Sequence, residues 1–128
     1  MKRLRPVVLG ALEERVMQIL WDSDPLVVRD VVQKLGSRLA YTTVMTTLDR
    51  LHRKGLLARD KDGVAFVYRP ALTRDDFHRK QVEATVGQLL AKSADPVLAG
   101  FVDAAAAVDE DNLARLEQLI AARRKARR

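Results

Sequence analysis

Apolar residues recur at helical spacing near the start of the chain. Ala11, Leu12, Val16, Ile19 and Leu20 fall on one stripe over residues 10–22, with Trp21 at its end. The run Asp22-Ser23-Asp24-Pro25 stops that helix. Leu26 stands between two periodic segments and is expected to pair as a one- or two-residue strand. Val28, Val31, Val32 and Leu35 give the i, i+3, i+4, i+7 pattern of a second, short helix over 27–35, closed by Gly36. Val27 holds the place where a Ser or Thr cap is preferred, so this helix starts poorly. A third helix is expected over 42–55, with Val44, Leu48 and Leu51 as its buried stripe and Gly55 at its end. Thr43, Thr46, Arg50 and Arg53 line a different face of it. Then come two strand-like runs, LLARD and VAFVYRP, separated by Lys61-Asp62-Gly63, and Asp-Gly between such runs signals a hairpin. Helix, short strand, helix, helix, hairpin is the order of a winged helix-turn-helix.

The back half is helical. Thr73 reads as an N-cap followed by a negative first turn, Asp75 and Asp76. That helix continues to about Lys92 through Phe77, Val82, Val86, Leu89 and Leu90. Pro96 suits the start of another, with Val97, Leu98, Phe101 and Val102 as its apolar face. Asp109 caps a last helix bearing Leu113, Leu116, Leu119 and Ile120. Three helices of this size make a poor core alone, since chains below ~70–80 residues rarely gain more than ~3–5 kcal/mol from one. Their stripes need a partner surface. The expected one is the same segment of a second chain, giving a homodimer through Phe77, Val86, Leu90, Leu98, Phe101, Val102, Leu113, Leu116 and Ile120. The alternative is that these helices pack back on their own winged domain. The fold class expected is mainly α with a small β-hairpin: a winged helix-turn-helix domain over residues 1–72 and a C-terminal helical dimerisation region with a basic tail over 73–128.

Charge sharpens this division. The 128 residues carry 23 Lys+Arg and 17 Asp+Glu, a net charge of +6. Residues 1–72 hold 13 basic and 8 acidic side chains, residues 73–122 hold 5 and 9, and the tail from Arg123 to Arg128 adds five more cations. A basic front half suits an anionic partner such as nucleic acid. The tail is either a solvated helix end favoured by the helix dipole or an auxiliary phosphate contact. There is no cysteine, which excludes disulfides, thiolate metal sites and a cysteine nucleophile. No apolar run approaches the roughly 18 residues of a membrane span. Charges return at Glu13, Glu14 and Arg15, too early for a signal peptide, so a cytoplasmic location is expected.

Candidate chemistry is sparse apart from one face. His52 sits in the basic helix end RLHRK, and His78 lies beside Asp75 and Asp76, carboxylates that the helix dipole already explains. No nucleophile elbow, phosphate loop or dinucleotide fingerprint occurs, so neither an enzyme, a cofactor nor a metal site is expected. Residues 42–54, by contrast, suit the major groove. Thr42, Thr43 and Thr46 are short enough for close backbone approach, and their hydroxyls and methyls can meet base edges. Arg50 suits bidentate contact to guanine or a phosphate clamp; Arg53 and Lys54 should reach phosphates, as should Lys61 at the hairpin tip.

These stretches resemble the BlaI/MecI/CopY family of bacterial regulators, the penicillinase repressors. The resemblance rests on LGALEERVMQILW, VRDVVQKL, LAYTTVMTTLDRLHRKGLL and FVYRP, and continues through PVLAGFVD and DNLARLEQLI. It implies a dimeric repressor of palindromic operators, with recognition residues at Thr43, Met45, Thr46 and Arg50. Some relatives carry Arg at the position of Met45, and relatives often carry Arg just after the wing glycine, where this chain has Val64. An operator of different sequence and a wing relying on Lys61 or Arg59 are therefore expected. In the β-lactam branch a membrane receptor protease triggers cleavage at an Asn-Phe bond; the matching bond is Gly100–Phe101, where phenylalanine is kept and asparagine is not. The copper-responsive branch ends in a cysteine motif that is absent here. Two rival readings remain open at this point: a winged-helix regulator sensing a small effector in its dimer region, and a winged-helix interaction module that binds no DNA.

Overall fold

The computed structural model of the chain describes residues 6–36 and 38–127. The basic residues at the very start, and Arg128 of the tail, lie outside them. The elements are α1 (Ala11–Trp21), β1 (Leu26–Val27), α2 (Val28–Leu35), α3 (Tyr41–Arg53), β2 (Leu57–Asp62), β3 (Ala65–Pro70), α4 (Arg74–Lys92), α5 (Ala94–Val108) and α6 (Asp111–Ala126). The chain divides into two compact units, one ending at Val82 and the other beginning at Glu83.

The first unit is the winged helix-turn-helix expected from the apolar pattern. Its three strands pair antiparallel in the order β1-β3-β2. The two-residue β1 pairs Leu26 with Tyr68 and Val27 with Val67, as an isolated apolar pair between helices should. Val27 offers no side-chain cap to α2, and Gly36 ends that helix in the left-handed region at φ 60°, where a Cβ is costly. The hairpin is tighter than the spacing suggested. Lys61 and Asp62 belong to β2, and pairing runs on to Asp62 opposite Ala65. Gly63, at φ 65°, takes the first position of a two-residue loop, the place where type II′ turns require glycine.

Val16, Met17 and Leu20 of α1, Val31 and Leu35 of α2, and Val44, Leu48 and Leu51 of α3 make the core, closed by Leu56, Leu57 and Tyr68 of the hairpin. Each such side chain contributes roughly 1.5–3 kcal/mol by leaving water. Phe77 belongs here as well, which corrects its expected place on a dimer surface. It is 8% exposed, and its ring lies 5.5 Å from that of Trp21. The start of α4 is fastened to α1 by polar contacts too. Trp21 Nε1 donates to the Leu72 carbonyl at 3.0 Å, and Arg74 Nη2 donates to Gln18 at 2.9 Å and Asp22 at 2.8 Å. Gln81 exchanges two 2.7 Å hydrogen bonds with the Val7 backbone. The helix itself begins where the threonine cap was expected, with the Asp76 amide donating to Thr73 Oγ1 at 3.1 Å.

One part-buried ion pair ties the end of α3 to the start of α1. Lys54 Nζ donates to Glu13 Oε2 at 2.7 Å, and Glu13 Oε1 accepts from the Gly10 amide at 3.3 Å. Burial works against the Glu13 charge, but the Lys54 ammonium and the Gly10 amide outweigh it and hold the carboxyl below the ordinary glutamate range. With its folded value depressed, the group stabilises the fold above the unfolded value of about 4.3 and loses that contribution as pH falls through the folded value. Glu13→Gln is therefore expected to lose about 1–3 kcal/mol at neutral pH, because the charge-assisted hydrogen bond from Lys54 is lost at a buried acceptor. It should also flatten the acid limb of a stability-versus-pH curve. A variant as acid-sensitive as the parent would show that other carboxylates set that limb.

The second unit comprises the rest of α4, with α5 and α6. The Asp111 amide donates to Asp109 Oδ1 at 2.9 Å, the cap expected for the last helix, and Asn112 Nδ2 donates to the Ala105 carbonyl at 2.9 Å, closing the α5–α6 corner. Neither α5 nor α6 has a buried residue. Leu98, Phe101, Val102, Leu119 and Ile120 are all exposed, while Val86, Leu90, Leu113 and Leu116 are partly covered. No described helix is long and apolar enough to cross a membrane.

Candidate nucleic-acid interface

Helix α3 presents two chemically distinct faces. Val44, Leu48 and Leu51 bury one of them in the core, which fixes the opposite face outward. Thr42, Thr43, Thr46 and Arg50 are exposed there, and with Thr47 they line an open depression of about 280 Å³. Thr47 is itself buried, its hydroxyl spent on the Thr43 carbonyl at 2.8 Å. Met45 is exposed on the flank of this face, one turn before Asp49. Among the described residues no carboxylate pairs with Arg50. Arg53 is free at its outer end: its Nε meets Asp49 Oδ2 at 3.0 Å, yet the side chain is 78% exposed. An exposed pair of this kind is worth little and yields readily to a phosphate.

The hairpin stands beside α3 as the wing. Lys61 is exposed on β2, its ammonium 5.9 Å from the Phe66 ring centre. Arg59 points back toward α3, bonded to Asp49 at 2.9 Å, and Arg69 of β3 meets Asp60, so among the described residues of the wing Lys61 is the cation without a carboxylate partner. Val64, just after the wing glycine, is almost fully exposed and carries no charge.

Two expectations change. Lys54 is not available to phosphate, because its ammonium is held between Glu13 and the Val8 carbonyl, at 2.7 and 3.0 Å. Its position at the basic end of α3 hid this use, since the partner lies 41 residues away. Tyr41 was missed. It is the first residue of α3 and exposed, beside a helix N-terminus whose free amides suit phosphate. A helix beginning at Thr42, as the apolar stripe suggests, does not include it. The Gly100–Phe101 bond lies in the middle of α5, with Phe101 exposed.

A helix-turn-helix whose second helix shows threonines and an arginine without a carboxylate partner among the described residues, flanked by a hairpin bearing an exposed lysine, defines a winged-helix transcriptional regulator. The sequence matches the penicillinase repressor family over residues 9–122, and the chain belongs to that family, the BlaI/MecI/CopY regulators. It is 38% identical to the transcriptional regulator BlaI of Mycobacterium tuberculosis over 115 residues, which are 84% of this chain and 80% of that one. It is 30% identical to the penicillinase repressor of Bacillus licheniformis over 79 residues, 60% of each chain. Among solved structures, the DNA-binding domain of the repressor BlaI is similar at 31% identity and a TM-score of 0.50, over 59% of this chain and 93% of that domain.

Proposed function

We propose that the protein is a dimeric transcriptional repressor that grips a palindromic operator through α3. Thr42, Thr43, Met45, Thr46 and Arg50 would meet base edges, while Arg53 and Lys61 would meet phosphates. The exposed Thr/Arg face of α3 carries this reading: Thr42, Thr43 and Thr46 are short, and Arg50 beside them has no carboxylate partner among the described residues. One winged domain offers a DNA interface of only about 600–1,000 Å². Tight binding therefore needs two domains held at a fixed separation, with half-sites about 34–36 Å or a multiple apart. The uncovered apolar residues of α5 and α6 support pairing with a second copy.

A titration of the full chain with the DNA upstream of its own gene, against random DNA at two salt concentrations, tests the proposal. An operator complex at least about 10³-fold tighter than the random one, holding two protomers, is expected. Weak binding, equal on both and lost with salt, would reduce the interaction to charge attraction.

Release in this reading follows cleavage or loosening of the C-terminal unit, relayed by a receptor protease or another protease under β-lactam or cell-wall stress. A bond inside α5 reaches a protease only when the helix opens. Gly100 makes opening easier, since glycine within a helix costs about 0.5–1 kcal/mol relative to alanine. A Cβ at Gly100 meets no atom within 4 Å, so Gly100→Ala fits. This variant is expected to slow cleavage about two- to fivefold while leaving operator affinity unchanged. Unaltered cleavage kinetics would place the scissile bond elsewhere.

A further inference from the structure

Asp49 lies on the outward part of α3, next to Arg50, where a carboxylate repels DNA phosphate. Both of its oxygens are occupied. Oδ2 takes Arg53 Nε at 3.0 Å, and Oδ1 takes Arg59 Nη1 of β2 at 2.9 Å. The same Arg59 nitrogen is 3.4 Å from the Tyr68 hydroxyl, and its guanidinium lies 4.2 Å over the centre of the Phe66 ring. Tyr68 is 1% exposed and sits opposite Arg59 in the ladder, so it is the rooted end of the hairpin. Phe66, opposite Lys61, belongs to the outer part and is 36% exposed. Arg59 thus joins the recognition helix, the buried root of the wing and its outer half through one side chain. β1 pairs β3 only at Tyr68 and Val67, so the outer part of the hairpin is two-stranded, an arrangement that is marginal without further support.

We propose that Asp49 is a positioning residue for operator recognition: through Arg59 it fixes the angle of the wing to α3, so that Arg50 and Lys61 engage DNA as one rigid surface. This rests on the DNA-binding reading above. Charge alone and positioning make opposite predictions. Removing an anion from a DNA-facing helix favours every DNA equally, through the phosphates. Loosening the wing penalises only the complex in which helix and wing must fit together.

The test compares the full chain with Asp49→Asn, Arg59→Lys and the double variant, on operator and on random DNA. For Asp49→Asn, random-DNA affinity should hold or rise while the operator-to-random ratio falls about tenfold. Arg59→Lys keeps the charge and should give the same loss, and the double variant should lose no more than either single one. In the free protein, amide exchange over residues 58–69 should quicken in Asp49→Asn while that of α1 stays unchanged. Equal gains on both DNAs, additive losses, or an unaltered hairpin exchange each overturn the proposal. A parent chain without operator preference refutes the DNA reading instead, and the exchange experiment then decides the brace alone.

Discussion

Cutting the chain after Val82 should leave a folded, monomeric winged domain whose affinity for a two-half-site operator is about 10²–10⁴-fold below that of the full chain. The loss is expected although no DNA-facing residue is removed, because the second domain is no longer held at high effective concentration. The place of the cut matters. The compact unit runs to Val82, and within it Phe77 and Arg74 fasten α4 to α1 while Gln81 fastens it to the Val7 backbone ahead of α1. Ending the chain at residue 72 removes these contacts, and the loss of Phe77 alone is equivalent to a core Phe→Ala change of about 3–5 kcal/mol. The shorter fragment should therefore melt well below the longer one, and its weak DNA binding would report unfolding. Sedimentation, thermal melts and operator titrations of the two fragments separate these effects. A fragment ending at Val82 that binds operator as tightly as the full chain would dispose of the dimer requirement.

The difference between residue 72 and Val82 shows what the sequence made legible. Periodicity located every helix of the front half to within a residue or two, because each has one face against a shared core. The hairpin was equally plain from Asp62-Gly63 between β-prone runs. The Thr/Arg face of α3 could be read because the core stripe of Val44, Leu48 and Leu51 fixes which side of the helix is left outward. What could not be read was partnership across long separations. Phe77 and Val86 look alike on a helical stripe, and only the position of Trp21 distinguishes them. Lys54 and Arg53 are adjacent cations, yet one is spent on Glu13 and the other stays exposed. Asp49 looks like an ordinary solvated helix residue until the wing folds back to bring Arg59 to it. Spacing gives the face on which a side chain lies. It does not give the segment from elsewhere in the chain that meets it.

Replacing Arg50 with alanine should cost about 1–3 kcal/mol of operator affinity, a loss of roughly five- to 150-fold, and relax discrimination at one base position of each half-site. Arg50 differs from its cationic neighbours in having no carboxylate partner among the described residues, so no salt bridge must be broken before it reaches DNA. It stands at the edge of the threonine-lined depression, where its planar guanidinium has room for two parallel hydrogen bonds to guanine. Because it is exposed and lies outside the core, stability should be almost unchanged. Lys54→Ala is the matched control: it should lower the melting temperature, because it leaves Glu13 buried and unpaired, and change specificity little. Measuring both variants on the operator, on operators altered one base pair at a time, and on random DNA distinguishes the roles. A loss from Arg50→Ala that is equal on every DNA, with the salt slope reduced by about one, would make Arg50 a phosphate contact. Discrimination would then fall to the threonines and Met45, whose methyl groups favour thymine, and the operator core would be expected to be rich in A·T pairs.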